Sequence, residues 1–536
     1  MSLTRLPGLS QHIASLPSLP TLAPEAFREA SDLIGHLVEE VSAAENGVIA
    51  DSATLTSLVK DLRRVGDPAA AEIVALRLAD MALSGGRRVE AAQLLKIAGL
   101  ASADQGLFVP ALTCFERALA ELAGGDPQFD TVAVLNNLGN TLTEMARHDE
   151  AVAAYQRAMK HLEEVPRAPF VAARGDDPEM VRGTILNNVG WSLARQARES
   201  GRDPEMLNQA IRTFRDVLQG PLRPRTRIIA TGNLAEACLL RGDVQVAERL
   251  LLPLEPECVE LRLERLLPEV FRRRAQLCAV RGEVEPALFW TRKALQSSLT
   301  FTSPRQEIRV IEVCFDLLRD LLAGERDRMA GLERSGARVL DELVDLLESK
   351  DQYTGGDHSR RVAGLSRRLA SHLSPRTGAD ERHLKMVEFG GLLHDIGKLM
   401  IPWSLLNRLR PLTPAEIDRL HQHAAVGEAV LTDIGVPELA RIAGEHHERP
   451  DGSGYPRGIT ELSLDGAIVA VADAYEAMTS PSRRYRLPMR PKNAVSEVRA
   501  AAGRQFVPLV AQALEAVVLR RGPGGGSADG GGRAGM

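Results

Sequence analysis

The sequence predicts an all-α protein in two parts, an N-terminal helical-repeat solenoid followed by a second, all-helical domain. Three observations carry that expectation. Aromatic residues are only 4% of the 536 positions while Ala, Leu and Arg abound, a composition that favours helices over sheets. Between about residues 68 and 300 a small residue is repeatedly followed, twelve positions later, by Ala, with a helix break between. Farther on, eight of the twelve histidines fall between His358 and His447, on stretches whose flanking apolar residues read as helices.

The totals bound what such a chain can be. Its length exceeds one hydrophobic core and implies two or three domains. With 66 basic and 71 acidic residues the net charge is −5, which advertises neither a nucleic-acid polymer nor an anionic membrane as partner. Cys114, Cys238, Cys258, Cys278 and Cys314 are scattered with no CxxC pair, which argues for a reducing compartment and against a disulfide framework or zinc ribbon. No apolar run approaches the roughly 20 residues of a membrane helix, and the N-terminus lacks a charged-then-apolar signal pattern. The expected location is the cytoplasm.

Taken in order, residues 1–66 carry Pro7, Pro17, Pro20 and Pro24 and then a helical pattern near 26–43; they form a helical segment to which no function is assigned. Residues 67–305 hold the repeats. Gly99 is followed by Ala111, Phe115 and Ala118; Gly139 by Ala151, Tyr155 and Ala158; Ala235 by Ala247; Ala275 by Ala287 and Ala294. Asn187-Asn188-Val189-Gly190 echoes Asn136-Asn137-Leu138-Gly139, but its partner Ala210 comes twenty positions after Gly190, so that turn carries an insertion. Small residues so placed let two antiparallel helices approach closely, and each hairpin buries its apolar face on the next. The pattern resembles about five tetratricopeptide repeats, which implies a protein partner or self-association, leaves a homodimer open, and names no ligand. Residues 306–350 are connecting helices, with Leu317, Leu321, Leu340, Leu343 and Leu347 at helical spacings; they read either as a signalling or dimerising pair or as the first helices of the next domain. That domain spans 351–517, and the Gly-rich tail 518–536 is expected to be disordered.

The second domain carries the chemistry. Val387–Leu393 reads as a buried helix ending in His394 and Asp395, with Lys398 on the same face. Of His421 and His423 only one can face a common site, because a spacing of two puts them on opposite sides of a helix. His446 and His447 end an apolar helix, and Asp473 lies in the apolar run Ile468–Ala472, where an isolated acid needs a buried partner. Any one of these histidines alone would be read as an ordinary core or surface residue, as His372, His383 and His421 are. Two contiguous pairs together point to a metal site. Mixed His and carboxylate ligands without thiolate suit iron, manganese or another divalent first-row ion more than structural zinc. Two such ions bridged by a carboxylate activate water near neutral pH for in-line attack on phosphorus. Lys398, a cation among metal ligands, fits an anion such as a phosphate. After His447 comes Glu448-Arg449-Pro450-Asp451-Gly452-Ser453-Gly454-Tyr455-Pro456, whose glycines allow positive φ and a tight fold over a ligand, with Asp451 holding the turn.

The order His358, His394-Asp395-x-x-Lys398, His423, His446-His447, Gly454-Tyr455-Pro456, Asp473 resembles the HD-GYP family of metal-dependent phosphodiesterases, over about residues 350–517. The resemblance implies an all-helical HD-superfamily metallohydrolase domain that opens the bacterial second messenger cyclic di-GMP to pGpG, and in some members cuts on to GMP. It implies two divalent ions per chain. His358, His394, Asp395 and Asp473 would hold one, and His423, His446 and His447 the other, with Asp395 as the bridge. Lys398 would contact the scissile phosphate; Gly452, Gly454, Tyr455 and Pro456 would shape the nucleotide site; Arg483 or Arg486 would contact phosphate or base. The chain also departs from the family pattern. Thr354 stands where some members carry a Glu for a third ion, and Asp357 is the acid that would substitute for it. Trp403, Arg408-Leu409-Arg410, Pro450 and Val507 replace family residues, and Ser482-Arg483-Arg484-Tyr485 carries one extra; these bear on substrate contacts, not on metal ligands. Two rivals stand beside turnover of cyclic di-GMP: a sensor that binds it without turnover and signals through the repeats, and a different HD-superfamily nucleotide phosphohydrolase.

Overall fold

In this computed structural model the described residues are 52–519 apart from 124–128, 166–176, 302–303, 324–335, 352–356, 409–411 and 482–486, together with 24–43 and a few positions between 11 and 22. Helices account for the architecture, and no strand occurs among the described residues. The chain divides into two compact units, one running to Cys314 and the other from Phe315 on except for residues 408–411, which group with the first.

The first unit opens with Pro24–Ala43 and Ser52–Val65 and continues as a run of antiparallel hairpins. Five of these match the repeat pattern: Arg88–Asp104 with Phe108–Leu122, Phe129–Glu144 with His148–Glu164, Pro178–Glu199 with Pro204–Gln219, Pro224–Arg241 with Val244–Leu251, and Leu267–Val280 with Val284–Phe301. Local signals start the helices. Asp67, Asp177 and Asp203 each precede a proline and accept a hydrogen bond from a backbone N–H of the following turn, satisfying donors that a helix start leaves unpaired. The small residues act by steric fit. A Cβ at Gly99 would come 2.6 Å from the Phe115 ring, one at Gly190 would come 2.8 Å from Phe214, and one at Gly139 would overlap Tyr155. All three rings are fully buried, so each hairpin closes by laying an aromatic of its second helix on a glycine of its first. The insertion shows as the long helix Pro178–Glu199, which delays its partner yet keeps the Gly190–Phe214 contact.

Inside this unit the asparagines form a ladder across successive repeats. Asn188 donates to Asn136 at 2.9 Å, Asn233 donates to Asn187 at 3.1 Å, and Arg273 donates to Asn233 at 2.7 Å. Beside them, buried Arg272 and Arg273 share Glu236 and Glu269. Burial works to raise the pKa of both carboxyls, but the two guanidiniums hold each down to about 2. A cavity of about 280 Å³ opens on this network, lined by Asn140, Asn188, Trp191, Arg273 and Arg309 among others.

In the second unit the helix His358–Thr377 packs on Glu381–Leu393, Leu464–Thr479 and Pro508–Leu519, while Pro414–Ile434 packs on Pro437–Glu445 and the 3₁₀ helix Ile396–Met400. Ala337–Lys350 lies in this unit as well. The last helix ends at Leu519, so the expected disorder of the Gly-rich tail lies, from residue 520 on, outside the described residues.

The Gly139 contact yields a test. Gly139→Ala forces its methyl into the Tyr155 ring and should destabilise the repeats by about 1–3 kcal/mol, the usual cost of overpacking a filled core. Chemical denaturation of the full chain reads this. An unchanged midpoint would show that the ring yields without cost.

Candidate metal centre

Six segments of the second unit meet at one point. His358 opens the helix His358–Thr377, His394 caps Glu381–Leu393, and Asp395 precedes Ile396–Met400. His423 sits midway along Pro414–Ile434, His446 and His447 follow Pro437–Glu445, and Asp473 faces inward from Leu464–Thr479. Three glycines make the convergence possible. A side chain at Gly390 would overlap Ile442, and one at Gly391 would come 2.9 Å from the Ala363 backbone, so the helix bearing His394 lies against both neighbours with no spacer. A Cβ at Gly397 would strike the His423 carbonyl, so the turn after Asp395 rests directly on the helix bearing His423. That turn is 3₁₀ and not a continuation of the α-helix, which changes how Lys398 reaches the site: its ammonium folds back onto Asp395 at 2.7 Å.

One orienting device occurs four times. His394 Nδ1 donates to the Gly391 carbonyl at 2.8 Å, His423 Nδ1 to Leu420 at 2.7 Å, and His446 Nδ1 to Ala443 at 2.7 Å. His358 Nδ1 donates to the Glu476 carboxylate at 2.5 Å. Carbonyls and carboxylates only accept, so each ring carries its proton on Nδ1 and leaves Nε2 as a bare lone pair. All four Nε2 atoms are buried and without a hydrogen-bond partner. Nor do they face donors. The Nε2 of His423 and that of His394 lie 3.3 Å from the two oxygens of Asp395, and the Nε2 of His358 lies 3.4 Å from Asp473. Lone pairs aimed at carboxylates repel unless a cation sits among them, so the donor set fits a metal.

The side chains sort into two groups. Asp395, His423, His446 and His447 offer ligand atoms within 4.8 Å of one another, as do His358, His394 and Asp473. Asp395 lies between the groups, one oxygen toward His423 and His446 and the other toward His394, His358 and Lys398. Electrostatics follow the same division. Burial opposes a charge on Asp395, but Lys398 and His394 hold its carboxyl well below the usual range. Burial likewise opposes charge on Lys398, and Asp395 with Asp351 raises it above an ordinary lysine. Burial pushes His423 down to about 3 and His447 well below its usual value, whereas Asp395 and Asp473 outweigh burial and raise His394.

The loop after His447 is held by buried acids. Glu448 accepts from the backbone N–H of Arg457 at 2.7 Å and of Ile459 at 3.1 Å, and Glu445 accepts from Ser463 at 2.9 Å. Asp451 accepts from the Ser453 N–H at 2.9 Å and holds the turn, as its position suggested. Gly452 takes positive φ, but Gly454 does not. It is required for space, since a Cβ there would come 2.5 Å from the Glu448 and Arg449 backbone. Tyr455 is sandwiched between His421, stacked at 3.8 Å, and His447 at 4.7 Å, and Pro456 follows it.

Every expected ligand is thus at the centre, and His372 and His383 are not; His383 instead meets Asp465 at 3.0 Å. His421, read from the sequence as an ordinary core or surface residue, belongs to neither ligand group and stacks on Tyr455. Asp357 is 71% exposed and belongs to neither group. Thr354, Arg483 and Arg486 lie outside the described residues. Sequence reasoning passed over Asp351, Glu448 and Glu476. Glu476 lies three residues, one helical turn, beyond Asp473, and that spacing in an apolar helix was the available signal. Burial works to raise its pKa, but His358 and Arg361 bring it down to about 2.

Comparison with known proteins agrees with this architecture. Residues 318–509 match the HD domain family, and residues 90–164 match a tetratricopeptide repeat. A cyclic di-GMP phosphodiesterase of Thermotoga maritima is 39% identical over 181 residues, covering 33% of this chain and 48% of its own. A 3'3'-cGAMP-specific phosphodiesterase, number 3 of Vibrio cholerae, is 40% identical over 154 residues, 28% of this chain and 32% of its own. The cyclic di-GMP phosphodiesterase response regulator RpfG of Xanthomonas campestris is 32% identical over 193 residues, 35% and 49% of the two chains. The chain therefore spans less than half the length of these relatives.

Glu476 gives a test of the centre that needs no substrate. Glu476→Ala frees His358 to turn, and loss of such an orienting partner lowers metal affinity about 10–100-fold. Competition against a chelator, read by elemental analysis, measures it. Unchanged affinity would show that His358 does not depend on Glu476.

Proposed function

We propose that this chain, which carries an HD domain behind tetratricopeptide repeats, is a metal-dependent phosphodiesterase that hydrolyses cyclic di-GMP to pGpG. The observation that carries the reading is the buried Asp395 carboxylate, set between two groups of bare imidazole nitrogens beside the Gly454-Tyr455-Pro456 loop. The relatives' named activities support the substrate class. We take the centre to hold two divalent ions, iron or manganese. His358, His394 and Asp473 would hold one and His423, His446 and His447 the other, with Asp395 offering an oxygen to each. Bound there, such ions supply Lewis acidity and make water a nucleophile near neutral pH.

The remaining roles belong to the chain itself. Lys398 meets a scissile phosphate with a charge kept at all ordinary pH, stabilising the developing negative charge. Tyr455, fixed between two rings, walls the nucleotide site with Gly452, Gly454 and Pro456; Arg483 and Arg486 are assigned there from the sequence alone. Water adds to phosphorus, the bond to the 3' oxygen breaks, and a linear dinucleotide with a 5' phosphate leaves. The asparagine-lined cavity of the repeats supports binding of a protein partner there. Five buried cysteines that form no disulfide support a cytoplasmic location, and no described helix is long and apolar enough to cross a membrane.

A second reading, cleavage of 3'3'-cGAMP, is favoured by the 40% identity to a phosphodiesterase named for it. Anaerobically prepared, metal-loaded protein should convert cyclic di-GMP to pGpG, which accumulates before GMP. Faster turnover of 3'3'-cGAMP would install the second reading. Binding of cyclic di-GMP with no product under iron or manganese would make the protein a sensor, and turnover confined to mononucleotides would make it another HD phosphohydrolase. Lys398→Ala should lose about a hundredfold or more in rate while keeping its metals, as for other lost contacts to developing charge. Loss of metal would show instead that Lys398 serves the centre's assembly.

A further inference from the structure

We propose that Asp351 is a positioning residue for Lys398, holding its ammonium from the end of the helix Ala337–Lys350 so that one N–H remains for the substrate phosphate. The kinetic part of this inference rests on the phosphodiesterase reading; its geometric part does not.

An ammonium has three donors. One Lys398 N–H reaches Asp395 Oδ2 at 2.7 Å, and a second reaches Asp351 Oδ2 at 3.1 Å. The Lys398 side chain is 15% exposed, so its third donor retains access to a ligand, whereas the Asp351 side chain is only 4% exposed. A buried carboxylate is costly unless paired, and a partner of this one is a residue that faces the centre. Without it, a flexible four-carbon stem would pivot on Asp395 alone. The ammonium would then lose its fixed direction and become more accessible.

The helix end that supplies Asp351 is itself fixed. Lys350, fully buried, donates to the Leu399 carbonyl at 2.5 Å, and Asn407 donates to the Lys350 carbonyl at 2.8 Å. The first bond ties the helix to the segment Ile396–Met400 that carries Lys398, and the second ties it to the end of the short helix Trp403–Leu406. Anchoring is therefore provided by Lys350 and Asn407. Asp351 adds direction to Lys398.

The test is a double-mutant cycle of Asp351→Asn, Lys398→Ala and the pair, with metal content checked in each. Asp351→Asn should lower kcat about 10–100-fold, the usual effect of removing a group that orients another, with metals retained and KM little changed. In the Lys398→Ala background the same change should cost nothing further. Full additivity, or an unaffected kcat, overturns the proposal. A second measurement needs no turnover: reductive methylation followed by mass spectrometry. Lys398 should label slowly in the wild type and several-fold faster in Asp351→Asn, while buried Lys350 stays unlabelled in both. Were the wild type to cleave no cyclic dinucleotide, this labelling alone would decide, and unchanged Lys398 labelling would overturn the proposal. Should Asp351→Asn fail to fold, Asp351→Glu keeps the charge on a longer arm. It is expected to lower kcat and expose Lys398, and wild-type behaviour in both would overturn the assignment.

Discussion

The Asp395 carboxylate is the constraint on which the second unit turns. It is buried, its two oxygens face imidazole nitrogens that carry lone pairs, and its ammonium partner, Lys398, is shared with Asp351. Such a group is costly in a dry interior unless cations complete it. Its surroundings can be understood as a consequence. Helix-terminal and mid-helix histidines are each locked by a carbonyl three residues earlier, so that their bare nitrogens stay aimed at the acid even when nothing is bound.

That arrangement requires backbones closer together than side chains normally allow. Gly390, Gly391 and Gly397 bring four helices and a 3₁₀ turn within direct contact, and Gly454 folds the loop onto the backbone that has just delivered His447. Ring stacking then links the loop to the centre through Tyr455. The carboxylates of Glu448, Glu445 and Glu476 hold the outer layer, each accepting a hydrogen bond from a residue farther along or back in the chain. Disturbing this layer acts on the centre through orientation and not through lost ligands.

The repeats use the same glycine economy for another end. There the close approach seats an aromatic ring under a helix and closes a hairpin, and the polar residues left on the inner faces join into the Asn188–Asn136 and Asn233–Asn187 ladder. The buried Arg272, Arg273, Glu236 and Glu269 network continues it, keeping a charged lining beside a cavity where a purely apolar core would have left none.

By itself the sequence determined the helical class, the repeat register with its insertion after Gly190, and which residues gather at the candidate centre. Each of these is written in local spacing or in residue chemistry: twelve positions between small residues, contiguous His-Asp and His-His pairs, an acid stranded in an apolar run. Partners brought in from distant segments were not legible. The pairing of His358 with Glu476 spans 118 positions and that of Lys398 with Asp351 spans 47, and no periodicity records them. Nor could the sequence tell that Gly454 serves for space and not for φ, or that His421 stacks on Tyr455 while belonging to neither ligand group. Those depend on which backbone lies opposite, and only the packed fold decides that.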